Sequence, residues 1–173
     1  MRTKMRDSYL LKCFVFVFFC FIIDSTIVYF LPYNYAKTGI TIVPCMGLMM
    51  VSLLVRTIDG PERYFFATVC GVYYSIVYSN SLAIYILIYA LIAFVRSYVI
   101  KIDYFSLPEA ITFCLSTILC QEFVVYWLMW ITNVTRYSVL SFLLMRILPT
   151  LLVNLVLSLI VYWVYNKVKI EVE

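Results

Sequence analysis

Apolar runs of membrane-crossing length follow one another from Tyr9 to Tyr165, with only short polar connections between them. Such a chain has few options. A backbone amide placed in hydrocarbon must find its partner within the protein, so each run is expected to form a helix. Hydropathy places six spans at about Tyr9 to Phe30, Gly39 to Val55, Tyr64 to Tyr78, Ser81 to Ile100, Leu107 to Ile131 and Ser138 to Tyr165. These use nearly all of the 173 residues, which predicts a single all-α polytopic membrane domain over 1–173 with six transmembrane helices. Composition agrees: 65% of residues are hydrophobic, 13% are charged and the mean hydropathy is +1.01, far from the values of soluble domains.

The third run is short and needs its preceding loop. Asp59-Gly-Pro-Glu62 reads as an N-cap with a glutamate three residues on, so this helix is expected to begin near Gly60 and to cover about 60–78. Ser106-Leu-Pro-Glu109 repeats the device before the fifth span.

Lysine and arginine set the orientation. With the N-terminus inside, Arg2, Lys4, Arg6, Lys12, Arg56, Arg63, Arg96, Lys101, Lys167 and Lys169 fall on the cytoplasmic side, and only Lys37 and Arg136 on the other. With Arg146 inside a span, that accounts for all 13 basic residues. The bias predicts both termini in the cytoplasm. Aromatic residues mark the same two surfaces, with Tyr29, Tyr33, Tyr78, Trp130 and Tyr137 near the outer ends and Tyr9, Tyr64, Tyr98, Tyr104, Trp163 and Tyr165 near the inner ends. Basic residues before the first run imitate a signal peptide, but no small-x-small site follows, so the run is expected to stay as a span. The net charge of +4 follows from the cytoplasmic bias and suits anionic lipid headgroups; it argues for no nucleic acid.

The usual catalytic patterns are missing. There is no histidine, and Cys13, Cys20, Cys45, Cys70, Cys114 and Cys120 show no CxxC spacing, which predicts no metal site and no disulfide framework. Neither a phosphate-cradling glycine loop nor a GxSxG nucleophile elbow occurs, so no cofactor and no enzyme activity is expected. Asn133-Val-Thr135 matches a glycosylation sequon, a pattern short enough to arise by chance.

Three ionisable residues interrupt the spans. Asp24, Glu122 and Arg146 lie about six, nine and eight residues from the outer ends of their runs, at depths of roughly 9–14 Å. An isolated charge there is costly, by at least about 2.5–3.5 kcal/mol near the bilayer centre. Arg146 and Glu122, on the antiparallel fifth and sixth helices, form the expected pair. Such a pair suits a fixed helix register, a partner's membrane helix, or a transport or catalytic step. Pro149 lacks an amide hydrogen, so it should leave the carbonyl of Met145 unanswered and kink the last helix. Asn154 offers a donor and an acceptor to a neighbouring helix. In the third run Ala67, Gly71, Ser75 and Ser79 form a small-residue stripe, suited to the fourth helix with its Ala83, Ala90 and Ser97 or to a second subunit, which leaves a homodimer open.

The last span resembles the bacterial rod shape-determining protein MreD family, whose members characteristically carry arginine, two apolar residues, proline, threonine and then asparagine. Here that is Arg146-Ile-Leu-Pro149-Thr150-Leu-Leu-Val-Asn154. Glu122-Phe-Val-Val-Tyr126 and Asp24 also match the family, whereas Ser75 and Ala83 stand where it usually has aspartate and glycine. The resemblance implies a non-catalytic scaffold of the cell-wall elongation machinery in the bacterial cytoplasmic membrane. Its partners would be the single-span protein MreC and, through it, MreB filaments and the peptidoglycan synthases that control cell shape. It also implies a fold similar to the six-helix substrate-binding subunits of energy-coupling-factor vitamin transporters, which supplies the main rival function. Against that rival, the first span lacks the alanines those subunits commonly use for docking. A membrane enzyme using Glu122 or Asp24 as a base is a second rival, short of the polar residues that bind phosphate.

Overall fold

A helix answers its own backbone amides, and most of this chain takes that solution. The computed structural model describes residues 2–30, 39–58, 60–78, 82–99, 105–135 and 138–170, and among them there is no β-strand. In chain order the elements are α1 (Arg2–Phe30), α2 (Met46–Leu54) with a closing 3-10 turn (Val55–Thr57), α3 (Glu62–Tyr78), α4 (Leu82–Tyr98), α5 (Leu107–Ile131), α6 (Val139–Phe142), a π-helical turn (Leu143–Ile147) and α7 (Leu148–Ile170). The last three join end to end, so the fold has six helices. Tyr9–Phe30, Leu107–Ile131 and Val139–Val168 are long and apolar enough to cross a membrane. The chain is an all-α, multi-pass membrane protein.

The shortest α-helix of the six lies at the centre. All nine residues of α2 are buried, and it touches α1, α4, α5 and α7. Around it the outward side chains are apolar, with Phe18 and Phe19 on α1, Leu87 and Leu91 on α4, and Leu152 and Val156 on α7 all exposed. An apolar exterior of this extent would be insoluble in water and matches lipid.

α3 and α4 form the closest pair. Ala67, Gly71 and Ser75 are buried on the face that meets α4. A Cβ on Gly71 would lie 3.0 Å from the Cα of Ile86 and 3.1 Å from the carbonyl oxygen of Tyr85, so the two backbones meet where glycine permits it. The α4 residues at this contact are Tyr85, Ile86 and Tyr89; Ala83 of the expected repeat is exposed. Ser79 lies outside the described residues, as do Asp59, Lys37 and Arg136.

Boundaries shift where the backbone cannot follow the hydropathy. α3 begins at Glu62, two residues after the expected Gly60, because Gly60 has φ 63° and the carbonyl of Pro61 is the first acceptor, from Tyr64 at 3.1 Å and Phe65 at 3.4 Å. α5 starts as its sequence predicts, with Glu109 accepting from the amide (2.8 Å) and hydroxyl (2.6 Å) of Ser106. The largest departure is in the second span. Of the expected 39–55, only Met46–Leu54 is α-helix, and residues 39–45 take no helical path.

Candidate functional site

The segment 39–45 has to satisfy a non-helical backbone without water, and α7 supplies the partners. Pro149 cannot donate to Met145, whose carbonyl instead accepts from the amide of Thr41 at 2.7 Å. One turn on, the Thr150 hydroxyl accepts from the amide of Val43 at 3.2 Å and lies 3.5 Å from the Thr41 carbonyl. A further turn on, Asn154 Oδ1 accepts from the amide of Cys45 at 2.8 Å while its Nδ2 donates to the Val43 carbonyl at 2.7 Å. Residues 41, 43 and 45 thus meet one face of the last helix, as alternate residues of an extended chain do. Pro44, between them, has no amide hydrogen to satisfy. Just before Pro149, where the sequence leads one to expect a kink, the helix runs through the π-helical turn Leu143–Ile147.

Asp24 continues the ladder onto α2. Its Oδ1 accepts from the amide of Met46 and its Oδ2 from that of Gly47, both at 2.9 Å. These are unsatisfied first-turn donors of a helix, and a carboxyl group there also sits in the favourable field of the helix dipole. The site is tightly built, since a Cβ on Gly47 would come within 2.2 Å of the Phe21 ring. Asp24, which the sequence reading set at the same depth as Glu122 and Arg146 without a partner of its own, is answered by backbone amides, because a bare helix N-terminus offers positive potential without any basic side chain.

The other end of α2 carries a residue that the sequence reading put among the cytoplasmic cations. Arg96, in the last turn of α4, is 0% exposed; its Nε donates to the Ser52 carbonyl at 3.3 Å, and its guanidinium lies 4.4 Å from the Phe105 ring centre. Beside it the hydroxyls of Ser52 and Thr57 donate to the carbonyls of Met49 and Leu54, each at 2.7 Å, and Tyr9 reaches Thr57 at 2.6 Å. A guanidinium at the C-terminal turn complements the carboxyl group at the N-terminal one. The signal in the sequence was Arg96 lying inside the fourth run, where snorkelling outward and turning inward look alike.

Glu122 and Arg146 meet as the hairpin geometry suggests, with Arg146 Nε 2.5 Å from Glu122 Oε2. The carboxylate is 3% exposed and the guanidinium side 27%, so the pair is half-open. It opens into a cavity of about 170 Å³ bounded also by Gly39, Thr41, Tyr126 and Met145. The structure therefore gathers Asp24, Pro149, Thr150 and Asn154 around one segment, whose Thr41 and Val43 the sequence did not single out, places Glu122 and Arg146 beside it, and sets Ala67, Gly71 and Ser75 apart on the α3–α4 contact.

Among the described residues no group of three or more His, Cys, Asp or Glu could hold a metal ion. The chain matches no protein family, no curated protein and no solved structure.

Proposed function

We propose that this chain is an MreD-like scaffold of a bacterial cell-wall elongation complex, a six-span protein of the cytoplasmic membrane with both termini inside. The observation that carries the reading is how the polar residues of the resemblance are used. Asp24, Thr150 and Asn154 direct their polar atoms onto the backbone of 39–47, and Glu122 is engaged by Arg146. A polar layer so committed fixes a shape; it presents surfaces to neighbours and leaves little for chemistry on a substrate. The six-span count is supported by length. Seven non-helical residues reach at most about 23 Å and the following twelve helical ones about 18 Å, together more than the roughly 30 Å of hydrocarbon, so a partly non-helical segment can serve as the second crossing.

The partner is then a single-span protein of the MreC kind, with MreB filaments and peptidoglycan synthases reached through it. Extraction in mild detergent should recover such a protein in stoichiometric amount, and loss of the chain should misdirect wall growth. A reporter at the C-terminus should be active only in the cytoplasm and one at Thr135 only outside. A second reading, a vitamin-binding transporter subunit, is favoured by the cavity beside Glu122 and Arg146. Recovery with an energy-coupling ATPase pair, or tight retention of a small molecule, would establish it in place of the scaffold.

A further inference from the structure

Glu122 and Arg146 are the charged part of the lining of the 170 Å³ cavity, and most of the rest is apolar. Val125 and Met129 of α5 and Met145 of the π-helical turn border it, together with the rings of Tyr126 and Phe142. Those two rings are stacked on each other, 4.1 Å between centres and 17° between planes. Thr135, past the end of α5, also borders the cavity, so it reaches from the ion pair to that end of the bundle. Glu122 itself lies about 14 Å along α5 from the Ile131 end, within the hydrocarbon layer.

The charges of the pair cancel, and this restricts what the cavity can accept. An anion or a cation would add a net charge at a depth where charge is costly, whereas an uncharged molecule adds none. To engage the pair, such a molecule has to donate a hydrogen bond to the carboxylate and accept one from the guanidinium, because an ionised carboxylate only accepts and a guanidinium only donates. The carboxylate has about four acceptor sites and the guanidinium five N–H donors, so the single bond from Nε to Oε2 exhausts neither. A carboxamide or a ring lactam carries a donor and an acceptor side by side on one flat, uncharged group. The apolar lining suits a flat ring behind it, since aromatic faces and methionine sulfurs both pack well against rings. Size agrees as well: an apolar cavity of about 150 Å³ holds benzene, so this one has room for roughly six to ten non-hydrogen atoms.

We infer that this cavity is a binding site for an exchangeable, uncharged, flat ligand, an aromatic carboxamide or lactam of that size, whose polar edge meets Glu122 and Arg146. The inference goes beyond the scaffold reading and does not depend on it, because it assigns the cavity a ligand whichever protein the chain assembles with.

Benzamide, benzoate and benzamidine share one shape and differ in charge, and toluene lacks the polar edge altogether. Their binding to the full chain in lipid nanodiscs, read by saturation-transfer NMR against empty nanodiscs, tests the assignment. Benzamide should bind saturably and at least about tenfold more tightly than benzoate or benzamidine, the least that an uncompensated charge at this depth should cost. Toluene should show nothing beyond its partition into empty nanodiscs. Val125→Phe and Met129→Trp each fill the cavity from α5 and should abolish benzamide binding while the thermal midpoint in detergent stays within a few degrees of the wild type. Glu122→Gln takes away the counter-charge of Arg146 and should invert the order, making benzoate the tightest of the three, a result that loss of fold cannot produce. Equal binding of the three probes, toluene as good as benzamide, or no saturable benzamide binding overturns the assignment. So does benzamide binding that survives both filling variants, or an order of affinities unchanged by Glu122→Gln. Recovery of a single-span partner is a separate measurement, and it alone decides the scaffold reading.

Discussion

The segment 39–57 and the α3–α4 hairpin solve the same problem with different materials. In the hairpin, two regular helices satisfy their own amides, and all they need from the sequence is a place to touch: Gly71, with Ala67 and Ser75 in line. The outer half of 39–57 abandons the helix, so its amides and carbonyls must be answered by distant residues, one by one. Regular backbone in a membrane demands small side chains, whereas irregular backbone demands polar ones at matched spacing. That difference explains why the polar residues of α1 and α7 cluster around 39–47 and why α3 and α4 contribute none of these bonds.

The comparison can be broken most sharply at Asp24. Asp24→Leu should remove two acceptors from the first turn of α2 and cost about 2–6 kcal/mol, at roughly 1–3 kcal/mol for each buried amide left unanswered; the folded fraction on size exclusion in detergent should collapse. Asp24→Asn keeps one acceptor and should fall between. Asn154→Leu is next, with an expected loss of about 2–4 kcal/mol, because the amide of Cys45 and the carbonyl of Val43 lose their partner together. Thermal midpoints in detergent should rank it below Thr150→Val, which removes one acceptor, that of the Val43 amide, and a long 3.5 Å contact to the Thr41 carbonyl, about 1 kcal/mol together.

The ion pair should lie just below Asn154. Arg146→Leu leaves Glu122 buried without its cation, but the half-open geometry limits the loss to about 2–3 kcal/mol, below the usual range for a fully buried pair. Adding Glu122→Gln should recover part of it, and a double variant no more stable than the single one would show that the pair is not coupled. Gly71→Ala, in the hairpin, should cost less than Asp24→Leu, Asn154→Leu or Arg146→Leu, about 1–2 kcal/mol of overpacking, since the neighbouring atoms at 3.0–3.1 Å have only tenths of an ångström to yield. If it proved as damaging as Asp24→Leu, the contrast between the two regions would fail.

Much of this was legible from residue types. Asp24, Glu122, Arg146, Pro149 and Asn154 stand out because polar groups in hydrocarbon need partners, and the antiparallel hairpin makes Glu122–Arg146 the simplest match. The non-helical path of 39–45 was not, because hydropathy reports that a run is buried and says nothing of its backbone. A signal existed in Gly39-Ile-Thr-Ile-Val-Pro44, β-branched residues bounded by glycine and proline, where an extended chain is the natural reading. Matching side-chain charges left Asp24 without a partner, because the groups that answer it carry no formal charge. Arg96 stayed hidden because a cation near a helix end is ordinarily drawn to the membrane surface.

The ladder also constrains how the chain can be made. Cys45 and its acceptor Asn154 are 109 residues apart, so the segment leaves the ribosome long before α7 exists to receive it. Asp24, by contrast, precedes Met46 and is in place when α2 is born. During synthesis the α1–α2 hairpin can close early while 39–45 waits with open amides, at the membrane surface or under a chaperone's protection. Insertion of the last helix then acts as the closing step of assembly. A chain arrested before Asn154 would expose that unfinished segment, a ready mark by which membrane quality control could tell an incomplete copy from a finished one.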